Sequence, residues 1–264
     1  MKSHKWLIVT DLDGSLLGHH SYDLAEAVPV LRELATLQIP VIFNTSKTFK
    51  ETLAIQADLA LTAPFVIENG ACICLPDGAG GFNKIIQGLR LQEIRDRLQQ
   101  IVQQDDEFVA LLDCSVEELM GLTGLDKSSA QMALAREYSY PLIWKGSEAS
   151  RQAFINRASQ AGLNTLQGGR FLHLQGNTDK ARAIEQLRVF YPDYQVACIG
   201  DSGNDLQMLL SADYSILIQS PGNQYLPEDF HADFTSTKPA PSGWAESVKH
   251  LMTQRDFIQE TLHE

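Results

Sequence analysis

Apolar and polar positions come in alternating blocks over the first eighty residues. Lys5–Val9 is a short apolar run that ends on an acidic turn. Leu24, Val28, Leu31, Leu34 and Ala35 then recur at helical spacing, which predicts a helix over 24–37 that Pro40 stops. Val41–Phe43 is a second buried run, followed by the polar turn Asn44-Thr45-Ser46-Lys47 and a helix reaching about Leu61. Phe65–Ile67 is a third run, and Ala71–Leu75 reads as a hairpin strand before the loop 76–81.

The middle of the chain has another texture. Leu89–Gln104 is an amphipathic helix, and Phe108–Leu112 reads as a strand. Val116–Met120 and Lys127–Glu137 read as short helices around Gly121-Leu122-Thr123-Gly124. Pro141–Trp144 is strand-like, Ser147–Ala161 helical, and Thr165–Leu174 a strand pair broken at Gly168-Gly169. The strand–helix alternation resumes with a helix at Thr178–Phe190, a buried strand at Gln195–Ile199 and a helix at Asn204–Leu210. A strand at Tyr214–Ile218 and a closing helix at Trp244–Thr261 complete it. Short buried strands alternating with helices indicate an α/β core with a parallel sheet covered on both faces. The predicted core is 1–82 plus 172–264, with an α+β module, 83–171, inserted between. An exposed loop tolerates such an insertion.

Composition narrows the function. The 264 residues carry 21 Lys and Arg against 33 Asp and Glu, a net charge of −12. That surface repels phosphate backbones, so no nucleic-acid partner is expected. No stretch approaches the roughly 18 apolar residues of a membrane helix, and Trp6–Val9 is too short for a signal peptide's apolar region. Cys72, Cys74, Cys114 and Cys198 are too few for a disulfide scaffold, so a reduced, cytoplasmic protein is expected.

Two acidic clusters follow buried strands. Asp11-Leu12-Asp13-Gly14-Ser15 comes after the first strand, and Gly200-Asp201-Ser202-Gly203-Asn204-Asp205 after the strand near 195–199. Ligands of open α/β sheets bind beyond the carboxyl ends of the strands. Carboxylates gathered there call for a cation, and Mg²⁺ suits them, since it takes one or two carboxylates, waters and a phosphate oxygen. Taken singly, each cluster is equally a capped turn. Thr45, Ser46 and Lys47 after the second strand, and Lys180 at the start of a helix, offer the hydroxyl and cations that a transferred phosphoryl group requires.

In this order the motifs resemble those of the haloacid dehalogenase superfamily of aspartate-dependent phosphotransferases: DLDGS at 11–15, Thr45 within FNTSK, Lys180, and GDSGND at 200–205. The resemblance implies a Rossmann-like core with an inserted cap. It also implies that Asp11 attacks phosphorus and that Asp13 protonates the leaving oxygen and then activates water. Thr45 and Lys180 would hold phosphoryl oxygens. Mg²⁺ would sit on Asp11, Asp201 and the Asp13 backbone carbonyl, with Asp205 orienting Lys180 and Asn204 shaping the phosphate pocket. Ser15 stands where the family more often has threonine and keeps the hydroxyl.

The insert occupies the position of the large cap found on sugar phosphatases. TSKT at 45–48, AREYSYP at 135–141 and GGRFLHL at 168–174 resemble the mannosyl-3-phosphoglycerate phosphatase family, although Tyr140 stands where that family usually has an acidic residue. The partner so implied is a small phosphorylated sugar. Gly169 and Arg170 are candidates for its carboxylate, because glycine amides approach anions and Arg grips them bidentately. Lys47 could reach the same anion. Arg136 reads as a solvated helix residue and His173 as a satisfied core histidine. A phosphomutase on the same fold and a non-catalytic sensor of phosphorylated sugars are the competing readings.

Overall fold

A computed structural model describes residues 5–19, 22–168 and 171–254. In chain order the first elements are β1 (Lys5–Thr10), α1 (Ala27–Thr36), β2 (Val41–Asn44), α2 (Phe49–Asp58), β3 (Phe65–Ile67), β4 (Cys72–Pro76) and β5 (Phe82–Ile86). Next come α3 (Leu91–Ile101), β6 (Phe108–Ala110), α4 (Val116–Thr123), α5 (Lys127–Ala133), β7 (Ser139–Trp144), α6 (Glu148–Gln160), β8 (Asn164–Gly168) and β9 (Phe171–Gln175). The last are α7 (Lys180–Phe190), β10 (Tyr194–Gly200), α8 (Leu206–Leu210), β11 (Tyr214–Leu217), β12 (Phe234–Thr235) and α9 (Ser242–Met252). The described residues form two compact units, one from Met1–Thr45, Ala63–Phe65 and Asp179–Glu264, the other from Ser46–Thr62 and Val66–Thr178.

The first unit is the α/β part. Its strands run in the order β12-β11-β10-β1-β2, and the neighbours are parallel. Trp6–Thr10 and Val196–Gly200 are buried throughout, as strands covered on both faces must be. Because β1 pairs with β10 from Lys5↔Tyr194 to Thr10↔Ile199, the two strands end level. The residues that follow them, Asp11 and Asp201, therefore emerge at one edge. Trp244 of α9 is fully buried, and its Nε1 donates to the Thr10 Oγ1 at 3.1 Å, which fixes the helix beneath that edge.

The second unit is α+β. β4 and β5 form a hairpin across the 77–81 loop, pairing from Cys72↔Ile86 to Pro76↔Phe82. β5 is unanticipated by the pattern: it is short and half exposed, so no apolar run marks it. Four antiparallel strands form a separate sheet, β6-β7-β9-β8. One face carries Tyr140, Leu142, Leu172 and Leu174, which pack with Ile94 and Leu98 of α3 and with Phe154 and Ala158 of α6. Tyr140 belongs to that core: its hydroxyl donates to Asp113 Oδ2 at 2.6 Å and the Arg95 guanidinium lies over its ring.

Helix ends differ from the pattern where side chains intervene. Ser115 accepts from the Glu118 amide and starts α4, which continues through Gly121 and stops at Gly124 with φ +80°. β6 gives way at Leu111 to a 3-10 turn leading into that cap. α5 stops at Ala133, not Glu137, because the amides of Glu137 and Tyr138 donate to the Glu68 carboxylate at 2.9 and 3.1 Å. α9 is described to Met252; the expected continuation to Thr261 lies mostly outside the described residues.

Leu142 sits fully buried in the middle of the second unit's sheet. Leu142→Ala is expected to cost about 2–5 kcal/mol, read as a lower urea midpoint. A loss under about 0.5 kcal/mol, the range of ordinary surface substitutions, would contradict this packing.

Candidate active site

Each acidic residue is held by local structure. Asp11 follows β1 directly, and its amide donates to the Ile199 carbonyl at 2.9 Å, so the parallel pairing with β10 continues one residue past the strand. The chain then turns at Gly14, with φ +82°, and a Cβ there would stand 2.5 Å from Asp201 Oδ2. Only glycine satisfies both the left-handed backbone and that approach. Asp13 is half-buried in the same turn and bridges to Leu17.

On the second strand end, Asp201 follows β10. Ser220 Oγ donates to its Oδ2 at 2.7 Å, Ser15 Oγ makes a long contact of 3.5 Å to Oδ1, and Asn223 Nδ2 donates to its carbonyl at 2.7 Å. Asp205 accepts the Asp201 and Ser202 amides on Oδ2, at 3.1 and 3.2 Å, leaving Oδ1 for Lys180.

Lys180 links the two halves. It is 1% exposed, and its Nζ donates to Asp11 Oδ1 at 2.5 Å and to Asp205 Oδ1 at 2.7 Å. Asn44, the last residue of β2, donates from Nδ2 to the Lys180 carbonyl at 2.9 Å, which fixes the start of α7. Thr45 is buried immediately after Asn44.

Charge is unbalanced here. Burial raises the Asp11 carboxyl well above the usual carboxylate range, and Lys180 opposes it. Burial also pushes Asp201 up to about 7, with the Asp205 charge adding to it. Burial works against the Lys180 ammonium, but Asp11 and Asp205 outweigh it and keep the group charged. Oxygens of Asp11, Asp201 and Asp205 all lie within 4.8 Å of one another, with one lysine to neutralise them. An all-oxygen donor set with surplus negative charge fits a hard divalent cation. Asp205 enters this cluster where Asp13 was expected; Asp13 was expected to serve through its carbonyl, which a carboxylate cluster does not register.

The structure thus brings Asp11, Lys180, Asp201 and Asp205 together, with Asp13 in the turn beside them. Asn204 is half-buried, with its Oδ1 accepting from Ser202 Oγ at 2.5 Å. Ser46 and Lys47 belong to the second unit, where the Ser46 carbonyl accepts from Arg136 at 3.1 Å and the Lys47 carbonyl accepts from the Glu68 amide at 3.0 Å. Gly169 and Arg170 lie outside the described residues.

Two expectations are corrected. Arg136 is not on a solvated helix face: it follows the end of α5, is 11% exposed, and also donates to Ser139 Oγ at 2.9 Å. His173 is buried as expected, yet its Nδ1 has no hydrogen-bond partner among the described residues. Ser220 and Asn223 were missed as site residues, and Asn44 stands out in the sequence only as the start of the polar turn 44–47. The Ser-Pro-Gly-Asn run at 220–223, a capped turn directly after a strand, is the signal that could have found the first two.

The raised Asp201 carboxyl predicts a pH effect in metal-free protein. Its folded value of about 7 lies above the ordinary 3.8, so the folded state binds more protons between those values and stability falls as pH rises through that window. In chelator, the wild type is expected to lose stability relative to Asp201→Asn from about pH 4 to pH 7, followed by chemical unfolding. A constant difference, or a wild type that gains stability relative to the variant over that window, would contradict the assigned shift.

The chain is similar to known proteins over nearly its whole length. Residues 8–140 and 148–224 match the sequence profile described as haloacid dehalogenase-like hydrolase. A glucosyl-3-phosphoglycerate/mannosyl-3-phosphoglycerate phosphatase of Persephonella marina is 34% identical, covering 94% of this chain and 97% of its own. A protein of the same name from Methanococcoides burtonii is 31% identical, over 96% and 100%. Among solved structures, a Streptococcus mutans protein superposes with TM-score 0.71 at 20% identity, over 95% of this chain and 100% of its own. A haloacid dehalogenase-like hydrolase from B. subtilis superposes with TM-score 0.66 at 19% identity, over 94% and 99%. With the fold shared and the profile spanning most of its length, the chain belongs to the haloacid dehalogenase-like hydrolase family.

Proposed function

We propose that this protein is a Mg²⁺-dependent phosphatase that hydrolyses a sugar-linked phosphate monoester, a glucosyl- or mannosyl-3-phosphoglycerate, in the cytoplasm. Both near-full-length relatives are named as glucosyl-3-phosphoglycerate/mannosyl-3-phosphoglycerate phosphatases, which supports the substrate class. The observation that carries the chemistry is the Asp11 carboxylate at the end of β1, gripped by buried Lys180 and facing Asp201 and Asp205 within 4.8 Å.

Asp11 acts as nucleophile: a carboxylate oxygen forms a bond to phosphorus while the bond to the leaving oxygen breaks, and Asp13 supplies that oxygen with a proton. Asp13, now ionised, takes a proton from water as the water oxygen attacks the aspartyl-phosphate. The bond from phosphorus to Asp11 breaks, inorganic phosphate leaves, and both aspartates return to their starting states. Lys180 and Thr45 hold phosphoryl oxygens as charge builds on them. Asp205 keeps Lys180 aimed and charged. Asp11, Asp201 and the Asp13 carbonyl would hold Mg²⁺, which when bound neutralises the carboxylates and polarises a phosphoryl oxygen.

Catalysis belongs to 1–82 plus 172–264 in this reading, and substrate choice to the inserted 83–171 together with the residues of 1–82 and 172–264 that pack against it. Ser46, Lys47, Gly169, Arg170 and Asn204 would bind the substrate, with Arg170 and Lys47 on its carboxylate and Asn204 on the phosphate side.

Phosphate release from mannosyl- and glucosyl-3-phosphoglycerate, measured without any bisphosphate activator, tests the proposal and separates it from a mutase. Wild-type protein is expected to turn over with Mg²⁺ and to stop in chelator. Asp11→Asn is expected to be inactive while keeping the wild-type circular dichroism spectrum, because an amide is a poor nucleophile and a poorer ligand. Substantial turnover by Asp11→Asn, or full activity in chelator, would overturn the mechanism.

A further inference from the structure

A second polar cluster, outside the acidic site, lies within the second unit. Ser139 pairs with Gln175 and Pro141 with His173, so these four share the face of β7 and β9 opposite the α3–α6 core. One end of that face is apolar, where Ile143 and Phe171 pack with Leu111, Leu119 and Ala130 under α4 and α5. The other end is polar. Ser139 Oγ donates to Glu68 Oε2 at 2.6 Å, and Asn69 follows Glu68 in a turn where both have left-handed backbones, φ +49° and +58°. The amides of Gln87 and Gly88 donate to the Ala71 carbonyl at 2.8 and 3.0 Å. A Cβ on Gly88 would stand 3.3 Å from Thr178 Cγ2, and Gln175 Nε2 donates to the Thr178 carbonyl at 2.8 Å. Residues 68–71, 87–88, 136–139 and 173–178 are therefore one neighbourhood.

Buried polar atoms without partners concentrate there. Among the described residues they are Asn69 Nδ2 and Oδ1, Gln87 Oε1, His173 Nδ1, Gln175 Oε1 and Thr178 Oγ1. Asn69, Gln175 and Thr178 are each 1% exposed and His173 is 5%. Each orphan costs stability, so a native chain keeps such a concentration where ordered water or a ligand completes it. The donor and acceptor types identify the ligand. An anion asks for donors alone, whereas this set is neutral and mixes amide donors, carbonyl acceptors, a hydroxyl and an imidazole. The imidazole is neutral because burial, aided by Arg136, lowers its pKa to about 3. Hydroxyl groups, each donating one hydrogen bond and accepting others, match such a set.

We propose that this polar end of the second unit's sheet binds the ring hydroxyls of the substrate's sugar, with Asn69 and His173 as specificity-determining contacts. The proposal rests on the phosphatase reading above and deepens it.

The test uses the full-length protein and two variants that respect the local geometry. Asn69→Gly keeps the left-handed turn, and His173→Phe keeps a flat ring against Phe171 while removing its nitrogens. Saturation-transfer NMR with methyl α-mannopyranoside and methyl α-glucopyranoside reports on the hydroxyl site directly. Wild-type protein is expected to transfer saturation to ring protons and both variants to lose it. The kcat/KM for the glycosyl-phosphoglycerate is expected to fall about tenfold more than that for p-nitrophenyl phosphate, as losing a hydrogen bond to substrate implies. If His173→Phe does not fold, Asn69→Gly carries the test alone. No transfer in the wild type, or equal losses on both substrates, would overturn the proposal. Saturation transfer in a wild type that leaves both glycosyl-phosphoglycerates intact would instead overturn the substrate reading and leave the hydroxyl site standing.

Discussion

A lysine buried to 1% exposure, with one ammonium shared between two carboxylates, is the constraint around which the first unit is organised. Taking an ion pair out of water costs several kcal/mol per ion unless its remaining hydrogen bonds are met. The fold meets them from several directions. Asp205 spends one oxygen on Lys180 and the other on two backbone amides of the β10 loop. Asn44 fixes the Lys180 backbone, and the parallel pairing of β1 with β10 brings Asp11 to the same edge. Three strand ends are thereby tied to the first residue of one helix.

The same arrangement leaves a deficit of positive charge among the carboxylates. One lysine cannot neutralise Asp11, Asp201 and Asp205, and burial raises the first two carboxyls above their ordinary range. A cation lowers that cost, and so does any ligand that arrives with one. The glycine at 14 belongs to this economy, since a side chain there would fill the space against Asp201.

The core strands and the acidic clusters were legible because their causes are local. A strand buried on both faces is a continuous apolar run, as at Leu7–Val9 and Val196–Ile199, and an acidic turn directly after it is visible in one dimension. Long-range partnerships were not legible. α5 stops at Ala133 because Glu137 donates its amide to a carboxylate sixty-nine residues before it, at Glu68. That same network draws Arg136 out of solvent. Ser220 reaches Asp201 only through the turn after β11. His173 sits on an apolar alternating stretch, which describes its burial and hides a ring nitrogen without a partner among the described residues. Tyr140 turns its ring into the α3–α6 core, on the face away from Ser139 and His173.

The central claim is that the carboxylate gripped by Lys180 becomes covalently phosphorylated during turnover. Acid quenching during steady-state hydrolysis, followed by borohydride reduction and peptide mass spectrometry, tests it directly, because reduction converts an aspartyl-phosphate to homoserine. The account predicts homoserine at position 11, in amounts that depend on substrate and metal. Homoserine at another aspartate, or none at position 11 under conditions of active turnover, would contradict it.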